Sequence, residues 1–199
     1  MEAGRVIAGT ARGLRLVGPG AGTRPLGDRV KEALFAVLEG GALGPWPRPF
    51  LDLFAGSGAA GIEALSRGAP SATFVEWEVG SAAAIQANLS RLPPGLAAVA
   101  RVERADVLAF LAAGPAAGGG PYGAVLLDPP YGEATLSPAL ARLGDPAGGW
   151  LEAEAVVVAK HFWRADPAGS AGALVRVRTR RFGETALDFY RLPGRGRRP

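Results

Sequence analysis

The sequence contains no cysteine and only one histidine, His161. The absence of cysteine excludes disulfide bonds and thiolate metal sites, and a single histidine argues against a histidine-based metal site. We therefore expect no bound metal, and any chemistry must use oxygen atoms, backbone groups or a bound cofactor. No apolar run approaches the roughly 20 residues that span a bilayer, and the N-terminus lacks the basic-then-apolar pattern of a signal peptide. These absences predict a cytoplasmic protein without membrane contact.

The composition is typical of one globular domain. Of the 199 residues, 48% are hydrophobic and 20% are charged. A chain of this length can bury a sizeable core by itself, so we expect a monomer. The 30 glycines and 17 prolines indicate many tight connections between secondary-structure elements.

Charge is distributed unevenly along the chain. The net charge is about +4 over residues 1–31, about −6 over residues 32–175 and about +6 over residues 176–199. Basic ends around an acidic middle suit a polyanionic partner, of which nucleic acid is the first candidate. A solvated basic surface without a partner would show the same distribution, so charge alone leaves both interpretations open.

Apolar runs alternate with helical patterns through the middle of the chain. The predicted parallel strands, which helices separate, are residues 50–54, 71–76, 97–103, 123–128 and 155–159. Two further strands, 174–181 and 185–191, are joined by a short turn and predict an antiparallel hairpin. The pattern therefore predicts an α/β fold, with a mostly parallel seven-stranded sheet that helices cover on both faces and this hairpin closes.

A smaller unit precedes this region. Residues 5–8 and 14–17 are short β-prone runs around a glycine-rich turn, and the apolar residues of a predicted helix at 28–38 share one face. The predicted division of the chain is an N-terminal hairpin extension at 1–24, a main domain at 25–192 and a basic tail at 193–199.

The first parallel strand leads into a glycine-rich turn, Asp52-Leu-Phe-Ala-Gly-Ser-Gly58. Gly56 and Gly58 allow the backbone to approach a ligand closely. Together with Gly61 they also satisfy the Gly-x-Gly-x-x-Gly pattern of dinucleotide-binding proteins. Asp52 argues against that use, because a carboxylate just before the loop would repel a diphosphate. It suits a ligand with an ammonium or sulfonium group.

Acidic residues also follow the next two strands. Glu76 is positioned to accept both ribose hydroxyls of a nucleoside, and Trp77 offers a ring beside adenine. Asp106 would contact the adenine amino group, although an N-cap role alone also explains an aspartate there. An adenosine cofactor with a positive, phosphate-free end is S-adenosylmethionine. The predicted cofactor-binding residues are Asp52, Phe54, Ala55, Gly56, Ser57, Gly58, Glu76, Trp77, Asp106 and Val107.

A buried strand ends at Asp128-Pro129-Pro130-Tyr131. With the glycine-rich turn, this tetrapeptide resembles the class I S-adenosylmethionine-dependent methyltransferases that modify exocyclic amino groups. The upstream Arg24-Pro25, Asp28-Arg-Val-Lys-Glu32 and the opening residues 5–13 make the chain similar, more narrowly, to the bacterial RsmD family. The resemblance covers about residues 4–192. It departs from the family pattern at 25–28, at Lys160-His161, where an acid is expected, and in the arginine-rich tail.

The resemblance implies a Rossmann-like class I methyltransferase fold. It also implies methylation of the N2 atom of one guanine in small-subunit (16S) ribosomal RNA, in an assembled or assembling 30S particle. Asp128 and the carbonyl of Pro129 would accept the two N–H bonds of the target amino group, in a turn that Pro129 and Pro130 fix. Tyr131 would stack on the flipped base. These four residues are the predicted catalytic residues.

Basic residues toward both ends of the chain are the predicted RNA contacts. The two-residue period of a strand predicts that Arg176, Arg178 and Arg180 share one face, where they would meet phosphates. Arg24, Arg29 and Lys31 would hold phosphates or the cofactor carboxylate. For each of these residues, a solvated surface role is the alternative. The full predicted set is Arg5, Arg12, Arg15, Arg24, Arg29, Lys31, Arg176, Arg178 and Arg180.

The sequence leaves three other functions open. An amino methyltransferase acting on DNA adenine or on a protein glutamine would share the glycine-rich turn, although Asp rather than Asn at position 128 favours guanine N2. A non-enzymatic RNA-binding assembly factor would use the same fold without binding the cofactor. A nicotinamide dehydrogenase would satisfy the glycine spacing, but it needs an acid/base pair that the sequence does not display.

Overall fold

The computed structural model describes residues 2–18, 26–130, 134–165 and 167–193. An eight-stranded sheet forms its centre, and a two-stranded sheet lies at the N-terminal end. The strands are β1 (Glu2–Arg5), β2 (Arg15–Val17), β3 (Phe50–Leu53), β4 (Ala72–Val75), β5 (Ala100–Glu103), β6 (Tyr122–Leu127), β7 (Leu151–Phe162), β8 (Ser170–Ala171), β9 (Leu174–Phe182) and β10 (Thr185–Arg191). The helices are α1 (Asp28–Glu39), α2 (Ala59–Ser66), α3 (Val79–Leu89), α4 (Pro94–Ala97), α5 (Val107–Ala113), α6 (Pro115–Gly118) and α7 (Leu136–Leu143).

The large sheet has the strand order β5-β4-β3-β6-β7-β10-β9-β8. The five strands from β5 to β7 are parallel, whereas β10 runs antiparallel between β7 and β9. Strands β3, β4 and β6 are buried along their whole length, as expected for strands that are covered on both faces. The predicted α/β class, parallel sheet and closing antiparallel hairpin are confirmed.

The sheet contains one strand more than the predicted seven. β8 consists of two residues that pair with β9 across a tight turn at Gly172, where φ is +58°. Two residues are too few to show an alternation of apolar and polar side chains, so no sequence period marks this strand. β7 is also longer than the predicted 155–159, because its first four residues are half-buried or exposed and lie outside the apolar run.

Helices cover both faces of the large sheet. α1, α2 and α3 pack on one face, in a core that includes Phe35, Ile62 and Ile85. α5 and α7 pack on the other face, in a core that includes Phe110 and Leu140. None of the helices in the described ranges is both long and apolar enough to cross a membrane.

Hydrogen bonds from α2 and α3 hold the N-terminal hairpin of β1 and β2. Glu63 on α2 accepts from the backbone N–H of Ile7 at 2.7 Å and of Ala8 at 3.0 Å. The side chain of Asn88 on α3 bonds to both the N–H and the carbonyl of Val17, at 2.8 and 2.9 Å. The hairpin is thus tied to the main sheet through the helices that cover it.

The bounds of this hairpin differ from the prediction. The first strand is Glu2–Arg5 rather than residues 5–8, because the N–H groups of residues 7 and 8 bond to Glu63. The predicted boundary between residues 24 and 25 lies outside the described residues, as does the predicted tail beyond Pro193.

Candidate active site

The carboxyl ends of the parallel strands meet at one edge of the sheet, where a cleft of about 260 Å³ opens. Ligands of open α/β sheets bind outside this edge. The residues that line the cleft are Phe54, Val75, Glu76, Trp77, Asp106, Val107 and Thr135. Five of the predicted cofactor-binding residues therefore lie around one cleft. Val75 and Thr135 were not predicted, because they carry no ionisable or aromatic signal.

The turn after β3 has an unusual backbone. Gly56 and Gly58 have φ values of +56° and +78°, a region that glycine enters at no steric cost. Phe54 also has a positive φ, +62°, and a residue with a Cβ is held there at a cost of about 1–3 kcal/mol. Strain of this kind is concentrated at ligand sites, and here it shapes the wall of the cleft.

The glycines of this turn serve different purposes. A Cβ on Gly61 would lie 2.3 Å from the ring of Phe74, and one on Gly58 would lie 3.2 Å from it, so both glycines let α2 pack against β4. A Cβ on Gly56 would meet no atom within 4 Å. Open space beside Gly56 leaves room for a ligand to approach the backbone.

Glu76 connects this turn to the cleft. Its Oε2 accepts from the N–H of Gly56 at 2.8 Å, and its Oε1 accepts from the N–H of Glu78 at 2.9 Å. The side chain lines the cleft and is 7% exposed. Because each carboxylate oxygen has a second lone pair, the oriented side chain can accept from two neighbouring hydroxyls, such as those of a ribose.

Asp52 lies beneath the turn, and it is not among the residues that line the cleft. Its side chain is 2% exposed, and Oδ2 accepts from the N–H of Gly61 at 2.8 Å. Burial raises the pKa of Asp52 well above its usual value, and the negative charges of Asp128 and Glu76 raise it further. A cationic group bound among these three carboxylates would favour their ionised forms.

Trp77 and Asp106 lie on the rim of the cleft. The Asp106 side chain accepts from the N–H of Ala109 at 2.9 Å, so it is the N-cap of α5 as well as a residue of the cleft. Trp77 is 69% exposed. A solvent-exposed indole at the mouth of a cleft is available to stack on a flat ligand.

β6 brings Asp128 to the same edge of the sheet. The Asp128 N–H donates to the carbonyl of Leu53 at 3.2 Å, next to the strained Phe54. The Asp128 carboxylate accepts a hydrogen bond from Nζ of Lys160, and the two side chains are 17% and 14% exposed. Burial raises the pKa of Asp128, whereas the ammonium of Lys160 lowers it. The lysine that departs from the family pattern therefore contacts the predicted catalytic carboxylate.

The rest of the tetrapeptide is described in part. Pro129 is buried and Pro130 is exposed. Tyr131 lies outside the described residues, so its stacking on a base stays a prediction.

Comparison with known proteins gives the family. Residues 4–191 match the family model described as Conserved hypothetical protein 95. The ribosomal RNA small subunit methyltransferase D of Escherichia coli (strain K12) is 38% identical over 160 residues, which are 77% of this chain and 72% of that protein. The Bacillus subtilis (strain 168) protein YlbH is 35% identical over 193 residues, which are 96% of this chain and 100% of that protein. The chain belongs to the RsmD family.

Solved structures agree with this assignment. The Escherichia coli protein yhhF has 33% sequence identity and a TM-score of 0.77, and the match covers 96% of this chain and 98% of that one. The class I methyltransferase fold that the RsmD resemblance implied is therefore confirmed.

Lys31 is not a surface residue in this member of the RsmD family. Its side chain is fully buried, and Nζ donates to the backbone carbonyl of Arg5 and lies 3.6 Å from Asp28 and 3.9 Å from Glu63. Burial lowers the pKa of Lys31. The prediction of an RNA or cofactor contact is wrong because position 31 is three residues before Leu34, on the buried face of α1.

Arg176 does not share a face with Arg178 and Arg180. Tyr190 of β10 pairs with Arg176, but its neighbour Phe189 pairs with Arg178, so the strand bulges between these two arginines. Opposite residues point to the same face of a sheet and successive residues to opposite faces. The bulge thus reverses the face of Arg176, and the prediction that the three arginines share one face is wrong.

Arg176 instead belongs to a buried polar cluster. Its Nη1 donates to Asp188 at 2.8 Å, and Thr179 and His161 also bond to that carboxylate. Burial alone would raise the pKa of Asp188, but hydrogen bonds from His161, Thr179 and Arg176 lower it to about 2. His161, which was assigned to no site from the sequence, is thus a structural partner of Asp188.

Most of the other predicted RNA contacts are accessible. Arg178 is half-buried, and Arg24 lies outside the described residues. Arg5 is exposed and lies 3.5 Å from the carboxylate of Asp28. The further predicted contacts that the structure leaves exposed are Arg12, Arg15, Arg29 and Arg180.

Two arginines stack on Trp163, which lies just after β7. The guanidinium carbons of Arg181 and Arg164 lie 3.6 and 4.8 Å from the ring centroid of Trp163. Both arginines are exposed, and no described residue forms an ion pair with either of them. This arginine–tryptophan stack was not predicted from the sequence, because its residues come from two different strand ends. A tryptophan next to an arginine shortly after the predicted strand 155–159 was the available signal.

Proposed function

We propose that this protein transfers a methyl group from S-adenosylmethionine to the exocyclic N2 of a guanine in small-subunit ribosomal RNA. The observation that carries the proposal is the position of Asp128. It is followed by two prolines and lies directly after β6, beside the turn after β3 that leads to the cleft lined by Phe54 and Glu76. Membership of the RsmD family supports ribosomal RNA as the substrate, since relatives at 38% identity are named as small-subunit ribosomal RNA methyltransferases.

The residues of the cleft fit S-adenosylmethionine. Glu76 would accept the two ribose hydroxyls, Trp77 would cover the adenine, and the open space at Gly56 would admit the chain that joins ribose to sulfonium. The carboxylates of Asp52 and Glu76 beside the turn would favour its positive charge over a neutral or phosphorylated ligand. When bound, the cofactor would supply an electrophilic methyl group on sulfur and leave as S-adenosylhomocysteine, while the methylated nitrogen would release one proton to Asp128 or to water.

Asp128 would act on the nucleophile. The lone pair of a guanine amino group is delocalised into the ring, so the nitrogen attacks poorly. If the carboxylate of Asp128 and the carbonyl of Pro129 accept hydrogen bonds from the two N–H groups, the nitrogen is drawn toward a tetrahedral geometry and its lone pair is freed. The two prolines fix the turn, so these acceptors need not reorganise during the reaction.

The basic groups outside the cleft would bind the phosphates of the RNA. Arg178 and Arg180 remain candidates on β9, and Arg164 and Arg181 on Trp163 form a second group close to the site. Lys160 contacts Asp128, and Trp163 follows it by three residues, a distance of about 10 Å along an extended chain. The guanidinium groups of Arg164 and Arg181, which stack on Trp163, are therefore in reach of the nucleotides that flank a base bound at Asp128.

The direct test is a transfer assay with labelled S-adenosylmethionine. Naked 16S ribosomal RNA and 30S particles that lack the modification are offered separately, and the nucleosides are identified by mass spectrometry. We expect label in N2-methylguanosine, with the particle as the better substrate. Asp128→Ala should bind the cofactor within about threefold of the wild-type affinity but transfer no measurable methyl, because it loses an acceptor of the transition state.

Other outcomes would select another function. Label in methyladenine of DNA or in a methylated glutamine would make the protein a different amino methyltransferase. If calorimetry detected no binding of S-adenosylmethionine, a non-enzymatic assembly factor would be the better account. Binding of a nicotinamide cofactor would favour a dehydrogenase.

A further inference from the structure

Lys160 and Asp128 form an ion pair at the edge of the sheet. β6 and β7 are parallel neighbours with Leu127 opposite Ala159, so the next residues on the two strands, Asp128 and Lys160, lie side by side. Nζ of Lys160 donates to Oδ1 of Asp128. No described residue donates a hydrogen bond to Oδ2 of Asp128. The lysine therefore occupies one oxygen of the carboxylate, and among the described residues none competes for the other.

Stability alone does not explain this pair. Both side chains are largely removed from solvent, at 14% and 17% exposure. The desolvation of two such charges offsets most of their attraction, and buried ion pairs can often be replaced by apolar side chains without loss of stability. The pair is also located where the proposed function needs an acceptor of hydrogen bonds from the target amino group.

Asp128 belongs to a group of carboxylates, and burial itself disfavours its ionised form. Asp52 on β3 lies close enough for the two carboxylates to repel each other, and Glu76, directly after β4, adds to the negative charge of the group. Burial raises the pKa of Asp128, and Lys160 on β7 opposes that effect. His161 points to the opposite face of β7, where it bonds to Asp188. Within the described residues, Lys160 is the cation that contacts Asp128.

We propose that Lys160 is a positioning residue of the methyl transfer, whose ammonium holds the Asp128 carboxylate as an oriented anion with one oxygen facing the target amino group. The inference rests on the proposed function. A neutral carboxylic acid has a hydroxyl where the anion has an acceptor, so it accepts an N–H less strongly. Without the lysine, Asp128 would bind a proton at a higher pH and would lose this ability over a wider range of acidic pH.

The experiment uses Lys160→Met, which removes the charge at similar length, and Lys160→Arg, which keeps it. The rate at saturating RNA and cofactor is measured from pH 5.5 to 9.5. For Lys160→Met we expect the acid limb of the pH–rate profile to move to higher pH by about one unit or more. The rate should fall about tenfold at low pH and at most about threefold at pH 9. Lys160→Arg should restore the wild-type profile. Arg142→Met, which removes an exposed cation at the last turn of α7, should leave the profile unchanged.

A second readout does not depend on activity. The carboxyl carbon of Asp128 is titrated by NMR in the wild-type protein and in Lys160→Met, and thermal denaturation establishes that both are folded. We expect a higher midpoint in the variant. An unchanged midpoint, or a loss of rate that is equal at every pH, would overturn the role of Lys160 even if the wild type methylates RNA. Failure of the wild type to methylate any RNA would instead remove the proposed function, whatever the titration shows.

Discussion

At the scale of single residues, the candidate site is defined by carboxylates that take different positions around one turn. Asp52 lies below the turn, Glu76 in the wall of the cleft and Asp128 at the end of the neighbouring strand. Glu76 and Asp52 are each fixed by a backbone N–H of the glycine-rich segment, from Gly56 and Gly61. Both side chains are therefore held in position by the protein's own backbone, which lowers the cost of binding.

Glu76→Gln tests the assignment of the cofactor ribose. The amide keeps the size of the side chain, but it has one acceptor oxygen and no charge, so it cannot accept the Gly56 N–H and both hydroxyls. We expect the dissociation constant for S-adenosylmethionine to rise about tenfold or more, the equivalent of one charge-assisted hydrogen bond. Isothermal calorimetry measures it directly.

The matched control for this variant is Glu154→Gln. Glu154 is at the opposite end of the sheet, where its side chain is 64% exposed beside Arg48. It should bind the cofactor like the wild type. Equal affinities for Glu76→Gln and the wild-type protein would refute the ribose assignment.

At the scale of elements, the bulge in β9 separates arginines that the sequence groups together. Arg178→Ala with Arg180→Ala should weaken RNA binding and reduce the slope of log K against log salt by about two, because two phosphate contacts are lost. Binding to 16S ribosomal RNA at several salt concentrations provides the measurement.

Arg176→Ala is the comparison within the same strand. It should leave the salt slope unchanged but lower the thermal stability, because the buried Asp188 loses a charged partner at 2.8 Å. If Arg176→Ala reduced the salt slope as much as the double variant, the separation of the two faces would be wrong.

The sequence predicts elements well where an apolar run or a period extends over several residues. The strands predicted at 50–54 and 123–128 are apolar runs with one acid each, the stripe on α1 has the helical period, and the acids Glu76 and Asp106 were found because each follows a run. Lys31 was misassigned because one polar residue on an apolar face does not break the period of that face.

The features that escaped prediction depend on pairing between strands. The bulge near Arg178 and the two-residue β8 follow from register, which a one-dimensional pattern does not encode. The contact of Lys160 with Asp128 has the same origin, since the two residues are 32 positions apart in the chain.

At the scale of the whole molecule, the uneven charge of the chain corresponds to two ligands of opposite sign. The acidic middle of the sequence contains the carboxylates of the cleft, where a cationic cofactor would bind. The basic ends contain the arginines that lie outside the cleft, where phosphates would be met. The proposed reaction needs both ligands at once, and the fold gives each a surface of its own.

The most direct measurement of the central claim is a nucleoside analysis of 16S ribosomal RNA from a strain in which this gene is deleted. We predict that one N2-methylguanosine disappears, that the wild-type gene restores it, and that a gene encoding Asp128→Ala does not. If mass spectrometry showed every N2-methylguanosine of the small-subunit RNA intact in the deletion strain, the assignment of guanine N2 in that RNA as the substrate would be contradicted.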